Sequence, residues 1–304
     1  MKFELTGIIA AALTPMRPGG GVDLEAVPNL VDHLERSGAD GVYICGSTGE
    51  GMSLSSRERR DVAEAFVRAA KGRMKTVVQV GHNALCEARD LAAHAAEIGA
   101  DAISATAPSY FKVGSADVLV ECMAEIAAGA PNLPFYYYHI PTLTGAAIDM
   151  VEFLPAAAAR IENLAGMKYT THQAFEYQAC LNLDGGRFDV PWGSDEMLLS
   201  ALVVGARGAI GSTYNVAAPL YRGIIDAFDS GDIKEARRRQ LLSVRMIRTF
   251  FRYPFLAALK EILRVFGVEC GGCRMPQKSL SPGQAAALRR DLEKIGFFDW
   301  CGIA

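Results

Sequence analysis

The chain has 304 residues, 50% of them hydrophobic, and a formal net charge of -3 at pH 7. This length allows two domains, although α/β barrels routinely use as much chain for one. The mixed charges without a basic cluster disfavour a nucleic-acid surface, and no apolar run reaches the roughly eighteen residues of a membrane helix. Seven scattered cysteines and a start without the apolar segment of a signal peptide predict reduced thiols in a cytoplasmic protein.

The sequence offers little support for a metal site. Cys270 and Cys273 form a single C-x-x-C pair, without a second pair or a strand–helix setting. The five histidines lack a ligand spacing such as H-E-x-x-H. We therefore expect no metal and no separate cofactor.

Along the chain, short apolar runs bounded by turn residues alternate with longer segments of helical spacing. The runs predict strands at residues 7–14, 41–45, 76–81, 102–107, 134–140, 164–168, 188–193 and 208–212. The segments between them predict helices at residues 23–37, 55–70, 85–98, 116–128, 148–158, 172–181, 196–204 and 216–228. Ser55 and Glu58 have the spacing of a capping box at the start of the second helix.

This alternation predicts an α/β fold with a parallel sheet, and eight strands are the number that closes a (β/α)8 TIM barrel. After Gly231 the alternation stops, and residues 233–250, 254–266 and 282–295 have helical patterns. We therefore expect a barrel over residues 1–230. A C-terminal helical extension over residues 231–304 is expected to pack on it, so that the two form one structural domain.

Lys168 is the most informative residue of the predicted strands, because residues 165–170 (AGMKYT) otherwise have the pattern of a buried strand. An ammonium among apolar neighbours is costly to bury and tends to lose its proton, and a free amine attacks ketones. We hypothesise that Lys168 forms a Schiff base with an α-keto acid. Thr170, two residues further along the same face, would place a hydroxyl beside the imine. The alternative is a lysine at a strand end that extends into water.

Barrel enzymes place their chemistry at the carboxyl ends of the strands. The second predicted strand ends in GSTGEG (46–51), where glycines and the hydroxyls of Ser47 and Thr48 suit a carboxylate, although a plain tight turn explains the glycines equally well. No lysine follows as in a nucleotide-binding Walker motif. In the fifth strand, period two puts Tyr136 and Tyr138 on one face, and Tyr138 can relay a proton or simply pack in the barrel wall.

The last two predicted strands also end in polar residues. The seventh ends in GSDE (193–196), where Asp195 and Glu196 can bind a polyhydroxy substrate, although Asp195 equally fits a helix N-cap. The eighth leads into GSTYN (211–215), a second turn of glycine and hydroxyl residues with the same two interpretations as the first. Strand ends two, five, six, seven and eight therefore all carry candidate site residues.

Three unbroken motifs carry a resemblance to a known family: PFYYYHIP (134–141), LLSALV (198–203) and GSTYN (211–215). With them, the chain resembles the N-acetylneuraminate lyases, above all those of animals. These belong to the class I pyruvate-dependent aldolase superfamily, which also contains dihydrodipicolinate synthase. The resemblance runs from Gly7 to about Phe228 and continues more loosely to the end. It implies an eightfold barrel with a helical extension, small-molecule substrates and a homotetramer.

Transferred position by position, the resemblance implies roles for individual residues. The Schiff-base lysine is Lys168 and the proton-relay tyrosine is Tyr138. The substrate carboxylate and the imine are approached by the hydroxyls of Ser47, Thr48 and Thr170. The polar tail of the sugar is held by residues matching Gly193, Asp195, Glu196 and Ser212. An aromatic hydroxyl from the neighbouring subunit corresponds to Tyr110, whose setting, PSYF (108–111), departs from the usual aromatic pair of the family.

The implied reaction is reversible cleavage of N-acetylneuraminate to N-acetylmannosamine and pyruvate. Dihydrodipicolinate synthases have an arginine where this chain has Leu143, and leucine cannot make the bidentate contact of an arginine with a carboxylate. The alternatives are an aldolase for another 2-keto-3-deoxy sugar acid or a hydroxy-oxoglutarate, and a synthase-like condensing enzyme. A barrel that binds a keto acid without turnover would be expected to lack the lysine or the tyrosine, and the sequence has both.

Overall fold

The computed structural model describes residues 3–301. The strands are β1 Gly7–Ala11, β2 Gly41–Ile44, β3 Lys75–Gln79, β4 Ala102–Thr106, β5 Phe135–His139, β6 Leu164–Tyr169 and β7 Gly208–Gly211. They form one parallel sheet in the order β6-β5-β4-β3-β2-β1-β7. The fold is therefore α/β with a curled, TIM-barrel-like sheet, and seven of the eight predicted strands are present with slightly different ends.

The remaining predicted strand, at residues 188–193, forms only isolated bridges between the two edges of the sheet. On one side, Tyr169 N–H donates to Pro191 O at 3.0 Å. On the other, Trp192 N–H donates to Gly208 O at 2.9 Å and Ile210 N–H donates to Trp192 O at 2.8 Å. Pro191 has no N–H to donate, which interrupts a regular ladder. The segment thus connects β6 to β7 without being a regular strand.

The sheet is buried on both faces, which explains why its strands are continuous apolar runs. In β5 the predicted alternation is confirmed, since Tyr136 and Tyr138 belong to one core cluster and Phe135 and Tyr137 to the other. The smaller cluster lies inside the curl of the sheet and consists of Leu5, Ile9, Ala11, Tyr43, Val77, Ala102, Tyr136, Tyr138, Ile140 and Ile210. The larger cluster joins the outer face of the sheet to the helices.

Helices follow the strands in the predicted alternation. They are α1 Val27–Arg36, α2 Ser56–Ala70, α3 Leu85–Glu97, α4 Ala116–Ala127, α5 Pro141–Thr144, α6 Met150–Arg160, α7 Ala174–Asn182, α8 Leu198–Val203, α9 Tyr214–Asp229, α10 Ile233–Phe250, α11 Phe255–Val265, α12 Pro282–Lys294 and α13 Phe297–Trp300. The capping box of Ser55 and Glu58 at α2 is confirmed. α10 packs against α9, and α12 packs against both α10 and α11. Within residues 3–301, no helix has the length and apolarity to cross a membrane.

Candidate active site

Lys168 lies on β6 with only 4% of its surface exposed. Its Nζ is 4.2 Å from the ring centroid of Tyr138 and 4.4 Å from that of Tyr43. Tyr138 is the register partner of Lys168 on the neighbouring strand β5. The two tyrosine rings meet edge to face, with centroids 5.7 Å apart. The amine therefore lies among aromatic rings, and the alternative of a lysine extended into water is not observed.

Hydrogen bonds hold Tyr43 and Tyr136 in place inside the curl of the sheet. Tyr43 donates a hydrogen bond to Ser104 Oγ at 2.9 Å, and burial raises the pKa of Tyr43 well above its ordinary value. Tyr136 donates to Asp189 Oδ2 at 2.7 Å, and the same oxygen accepts the Leu5 N–H at 2.7 Å. These phenols are consequently neutral and rigidly held. Asp189 also ties the irregular segment 188–193 to the start of the chain.

The loop after β2 reaches the loop after β7. Thr48 Oγ1 and Ser212 Oγ are 2.6 Å apart and share a hydrogen bond, while the Ser47 side chain next to Thr48 is exposed. Cys45 and Glu50 flank the loop in the left-handed region, with φ of 57° and 55°. This conformation costs a non-glycine residue roughly 1–2 kcal/mol and occurs at functional sites. The hydroxyls predicted to bind a carboxylate thus lie on a strained loop that brings two strand ends together.

A buried ion pair attaches this loop to the C-terminal helices. Lys260 on α11 donates to Glu50 Oε1 at 2.8 Å and to Gly272 O at 2.6 Å. The side chains of Glu50 and Lys260 are each 1% exposed. Glu50 Oε2 accepts the Arg274 N–H at 2.7 Å, and the Arg274 guanidinium pairs with Glu58 at 2.7 Å. Both carboxylate oxygens of Glu50 are thereby used for structure, directly after the candidate carboxylate-binding residues.

Asp195 is buried, and its Oδ2 accepts the N–H and hydroxyl of Thr213 at 2.8 and 2.6 Å. It therefore binds the start of α9 and does not cap its own helix. A Cβ at Gly211 would collide with Asp195 Oδ1, which explains the glycine there. Burial raises the pKa of Asp195 to about 6, while its hydrogen bonds with Thr213 and the charge of Lys168 act in the opposite direction. The carboxylate and the amine are electrostatically coupled.

Thr170 and Glu196 lie near the same strand ends. Thr170 Oγ1 is buried and has no hydrogen-bond partner among residues 3–301. A Cβ at Gly193 would collide with this oxygen, so the glycine is what allows the hydroxyl its position. The Glu196 carboxylate is half-buried, 3.7 Å from the Nε2 of His172. The Thr170 hydroxyl and the half-buried carboxylate of Glu196 are suited to hydrogen-bonding a polar ligand.

Tyr110 and Leu143 do not belong to this buried group. Tyr110 is 78% exposed, contacts Phe111 edge to face at 5.1 Å, and has its N–H bound by Asn83 Oδ1 at 3.1 Å. Leu143, on the short helix α5, is 60% exposed. The fold thus leaves both side chains on the surface of the single chain.

The Cys270 side chain is buried and the Cys273 side chain is half-buried. Burial raises the pKa of Cys270 to about 12 and that of Cys273 to about 11, which keeps both thiols protonated at neutral pH. Among residues 3–301, no group of three or more histidine, cysteine or acidic side chains is arranged to hold a metal ion. Neither cysteine of the pair is therefore an activated nucleophile.

Two contributors to the site were missed by the sequence analysis. Tyr43 was detectable, because period two along the second strand puts it on the inner face opposite Val42 and Ile44. The partnership of Glu50 with Lys260 had no local signal, since the two residues are 210 positions apart. Only the fold brings them into contact.

The chain is similar to known proteins over nearly its whole length. Residues 4–295 match the model of the dihydrodipicolinate synthetase family. N-acetylneuraminate lyase of Rattus norvegicus is 38% identical, and the match covers 99% of this chain and 96% of that protein. The structure is similar to Proteus mirabilis N-acetylneuraminate lyase, with a TM-score of 0.94, 37% identity, and coverage of 97% and 100% of the two chains. It is also similar to a catalytic lysine mutant of Ruminococcus gnavus sialic acid aldolase, with a TM-score of 0.93, 28% identity, and coverage of 98% and 99%.

Proposed function

Because the chain belongs to the dihydrodipicolinate synthetase family, we propose that it cleaves N-acetylneuraminate reversibly to N-acetylmannosamine and pyruvate. The enzyme is a carbon–carbon lyase that uses a lysine imine in place of a separate cofactor. The observation that carries the proposal is the Lys168 amine, buried 4.2 Å from the ring of Tyr138. A lysine so enclosed at the end of a strand is suited to covalent catalysis on a ketone.

In the proposed reaction, Lys168 attacks the C2 ketone of the open-chain sugar acid and loses water to form an iminium. The hydroxyls of Ser47 and Thr48 bind the substrate carboxylate. A carboxylate can accept hydrogen bonds from both hydroxyls at once. The 2.6 Å hydrogen bond between Thr48 Oγ1 and Ser212 Oγ supports this assignment, because it holds the Thr48 hydroxyl in place. Fixing the carboxylate orients the carbonyl carbon toward the amine.

The iminium nitrogen then acts as an electron sink for cleavage of the C3–C4 bond. A base must remove the C4 hydroxyl proton, and Tyr138, together with the substrate carboxylate, relays it. The aldehyde product, N-acetylmannosamine, leaves first. The enamine that remains is protonated and hydrolysed, which releases pyruvate and regenerates Lys168.

We assign the polar tail of the sugar to residues after the 188–192 segment and after β7. These are Gly193, Asp195, Glu196 and Ser212, and the half-buried carboxylate of Glu196 supports this assignment. The hydroxyl of Thr170, which has no hydrogen-bond partner among residues 3–301, is assigned to the position beside the imine. A neutral polyol suits these acids better than an anionic aldehyde, which would be repelled by them.

The finer architecture is part of the proposal. The barrel predicted for residues 1–230 is a (β/α)8 barrel over the described residues 3–230, in which residues 188–193 take the place of one strand, supported by their bridges to both sheet edges. Of the extension predicted for residues 231–304, residues 231–301 form C-terminal helices packed on the barrel, supported by the contacts of α10 with α9, and residues 302–304 lie outside the described residues. The subunits assemble as a homotetramer, and the exposed Tyr110 reaches the site of a neighbouring subunit.

Leu143 separates the lyase from the dihydrodipicolinate synthase alternative, since an exposed leucine cannot bind the carboxylate of a second substrate. The other alternative, an aldolase for a different 2-keto-3-deoxy sugar acid or hydroxy-oxoglutarate, shares the imine chemistry. Condensation assays with pyruvate and a panel of aldehydes distinguish them. Preference for N-acetylmannosamine over aspartate semialdehyde and glyoxylate is expected.

The proposed function is tested by release of pyruvate from N-acetylneuraminate. Lys168→Ala should abolish turnover while circular dichroism shows an intact fold. Tyr138→Phe should retain the ring and slow turnover by about 10²–10⁴, the usual contribution of a general acid–base group. Substantial turnover by a folded Lys168→Ala protein would refute the mechanism, and an unchanged rate for Tyr138→Phe would remove the tyrosine from it.

A further inference from the structure

We propose that Tyr43 is a further residue of the imine chemistry, and that its ring stabilises the positive charge on the Lys168 iminium nitrogen. This inference rests on the proposed function, because it concerns the same covalent intermediate. It adds a residue for which the sequence analysis gave no role. The ring acts through its face, as a cation–π partner.

The geometry of the three side chains carries the inference. Lys168 Nζ lies 4.4 Å from the Tyr43 ring centroid, well inside the roughly 6 Å range of cation–π attraction. The two rings near the nitrogen, Tyr43 and Tyr138, are inclined at 81° to each other and line two sides of it. All three residues are buried, and desolvation strengthens such contacts.

The position of the Tyr43 ring is fixed independently of Lys168. Its hydroxyl donates to Ser104 Oγ at 2.9 Å, and a Cβ at Gly46 would lie only 2.8 Å from its Cε1. Because Gly46 has no side chain, the Tyr43 ring can occupy this position without a steric clash. Since burial raises the pKa of Tyr43 well above its ordinary value, the phenol stays neutral at neutral pH. The nitrogen of Lys168 therefore contacts the aromatic ring of Tyr43.

The charges of the reaction intermediates determine which steps the Tyr43 ring can influence and at which pH. Condensation of an ammonium with a ketone gives an iminium and water without a change of charge. The ring therefore stabilises the reactant ammonium and the product iminium to the same extent. Loss of a proton from the iminium gives a neutral imine, and C3–C4 cleavage gives a neutral enamine. The ring therefore favours the iminium over its neutral forms, and its contribution is largest at alkaline pH.

Other charged and titratable groups around this nitrogen remain in the protein when Tyr43 is replaced. Asp195 is coupled electrostatically to Lys168, and Glu196 acts on Asp195. Tyr138 lies on the other side of the nitrogen, and Arg59 acts on Tyr43 from outside the sheet. Aromatic replacements at position 43, which nearly keep its volume, consequently isolate the charge of the ring face, whereas leucine removes the ring.

The test is the pH profile of the adduct that borohydride traps with pyruvate, measured by intact mass. Three proteins are compared with the wild type: Tyr43→Phe, Tyr43→Leu, and a protein with 3,4,5-trifluorophenylalanine at position 43. The fluorines keep the shape of the ring and remove the negative charge of its face. Ser104→Ala is the matched control for loss of the hydroxyl partner.

We expect Tyr43→Phe and Ser104→Ala to follow the wild-type profile. The leucine and trifluorinated proteins should lose about tenfold of the adduct on the alkaline side, which moves that limb by about one pH unit and corresponds to about 1.4 kcal/mol. The proposal is overturned if the trifluorinated ring behaves like phenylalanine, or if phenylalanine is as poor as leucine. A wild type that traps no adduct at any pH contradicts the proposed function itself.

Discussion

The buried pair of Glu50 and Lys260 gives a prediction that links stability to the site. Lys260→Met replaces the ammonium with an apolar side chain of similar length and leaves the Glu50 carboxylate in the interior. Among residues 3–301, the Arg274 N–H is then its one remaining hydrogen-bond donor, at 2.7 Å from its other oxygen. The 2.8 Å contact to Lys260 is lost.

The expected cost follows from the burial of both partners, whose side chains are each 1% exposed. Removing one partner of such a pair costs about 3–5 kcal/mol, because an uncompensated charge remains in the interior. The double variant Glu50→Gln/Lys260→Met removes both charges and should recover most of this loss. Arg89→Gln is the matched control, since it breaks an ion pair of 3.0 Å whose side chains are 50% and 46% exposed. Exposed pairs contribute about 1 kcal/mol or less.

The measurement is the free energy of unfolding from urea titration, together with the concentration of pyruvate that gives half-maximal borohydride trapping. Lys260→Met should be destabilised by several kcal/mol and should need more pyruvate, because Glu50 follows Ser47 and Thr48 in the same loop. Arg89→Gln should change neither quantity appreciably. Equal, small losses in Lys260→Met and Arg89→Gln would refute the argument that this pair holds the loop.

Two further predictions concern Asp195 and Gly193. Asp195 has a folded pKa of about 6 against an ordinary 3.8, so the folded protein binds more protons and its stability should fall by about 3 kcal/mol as pH rises through that interval. Asp195→Asn should lack this fall, so parallel stability curves from pH 4 to 6.5 would contradict it. Gly193→Ala should cost about 1–3 kcal/mol and impair binding of the sugar, because its methyl displaces the Thr170 hydroxyl. Gly283→Ala is the control, because a Cβ at Gly283 in α12 would have open space around it. Thermal melts and KM for the sugar are measured for both variants. If Gly193→Ala changes the melting temperature and KM as little as Gly283→Ala does, the packing argument is wrong.

Period and spacing predicted most of the fold because they report burial, and both faces of this sheet are buried. The segment at residues 188–193 shows the limit of that approach. Its apolar pattern is typical of a strand, whereas Pro191 has no N–H to donate and the segment forms only isolated bridges. The pattern therefore predicted the correct position of the segment in the sheet but wrongly predicted a regular strand.

The candidate site was predictable to the extent that strand ends converge in an α/β barrel. That rule pointed to Lys168, Tyr138 and Thr48 before any contact was known. It could not reveal that Asp195 is bound to Thr213, because the partner lies beyond the following helix. Nor could it find Lys260, which reaches the loop from α11. Contacts between side chains that are far apart in the sequence depend on how the elements pack, and this packing produces no periodic pattern in the sequence.

The central claim, that Lys168 forms a covalent imine, is tested most directly by incubating the protein with pyruvate and sodium borohydride and then mapping the modified peptide by mass spectrometry. We predict one reduced pyruvate adduct, located on Lys168 and absent from Lys168→Ala. An adduct on a different lysine, or an unmodified wild-type protein at saturating pyruvate, would contradict the account.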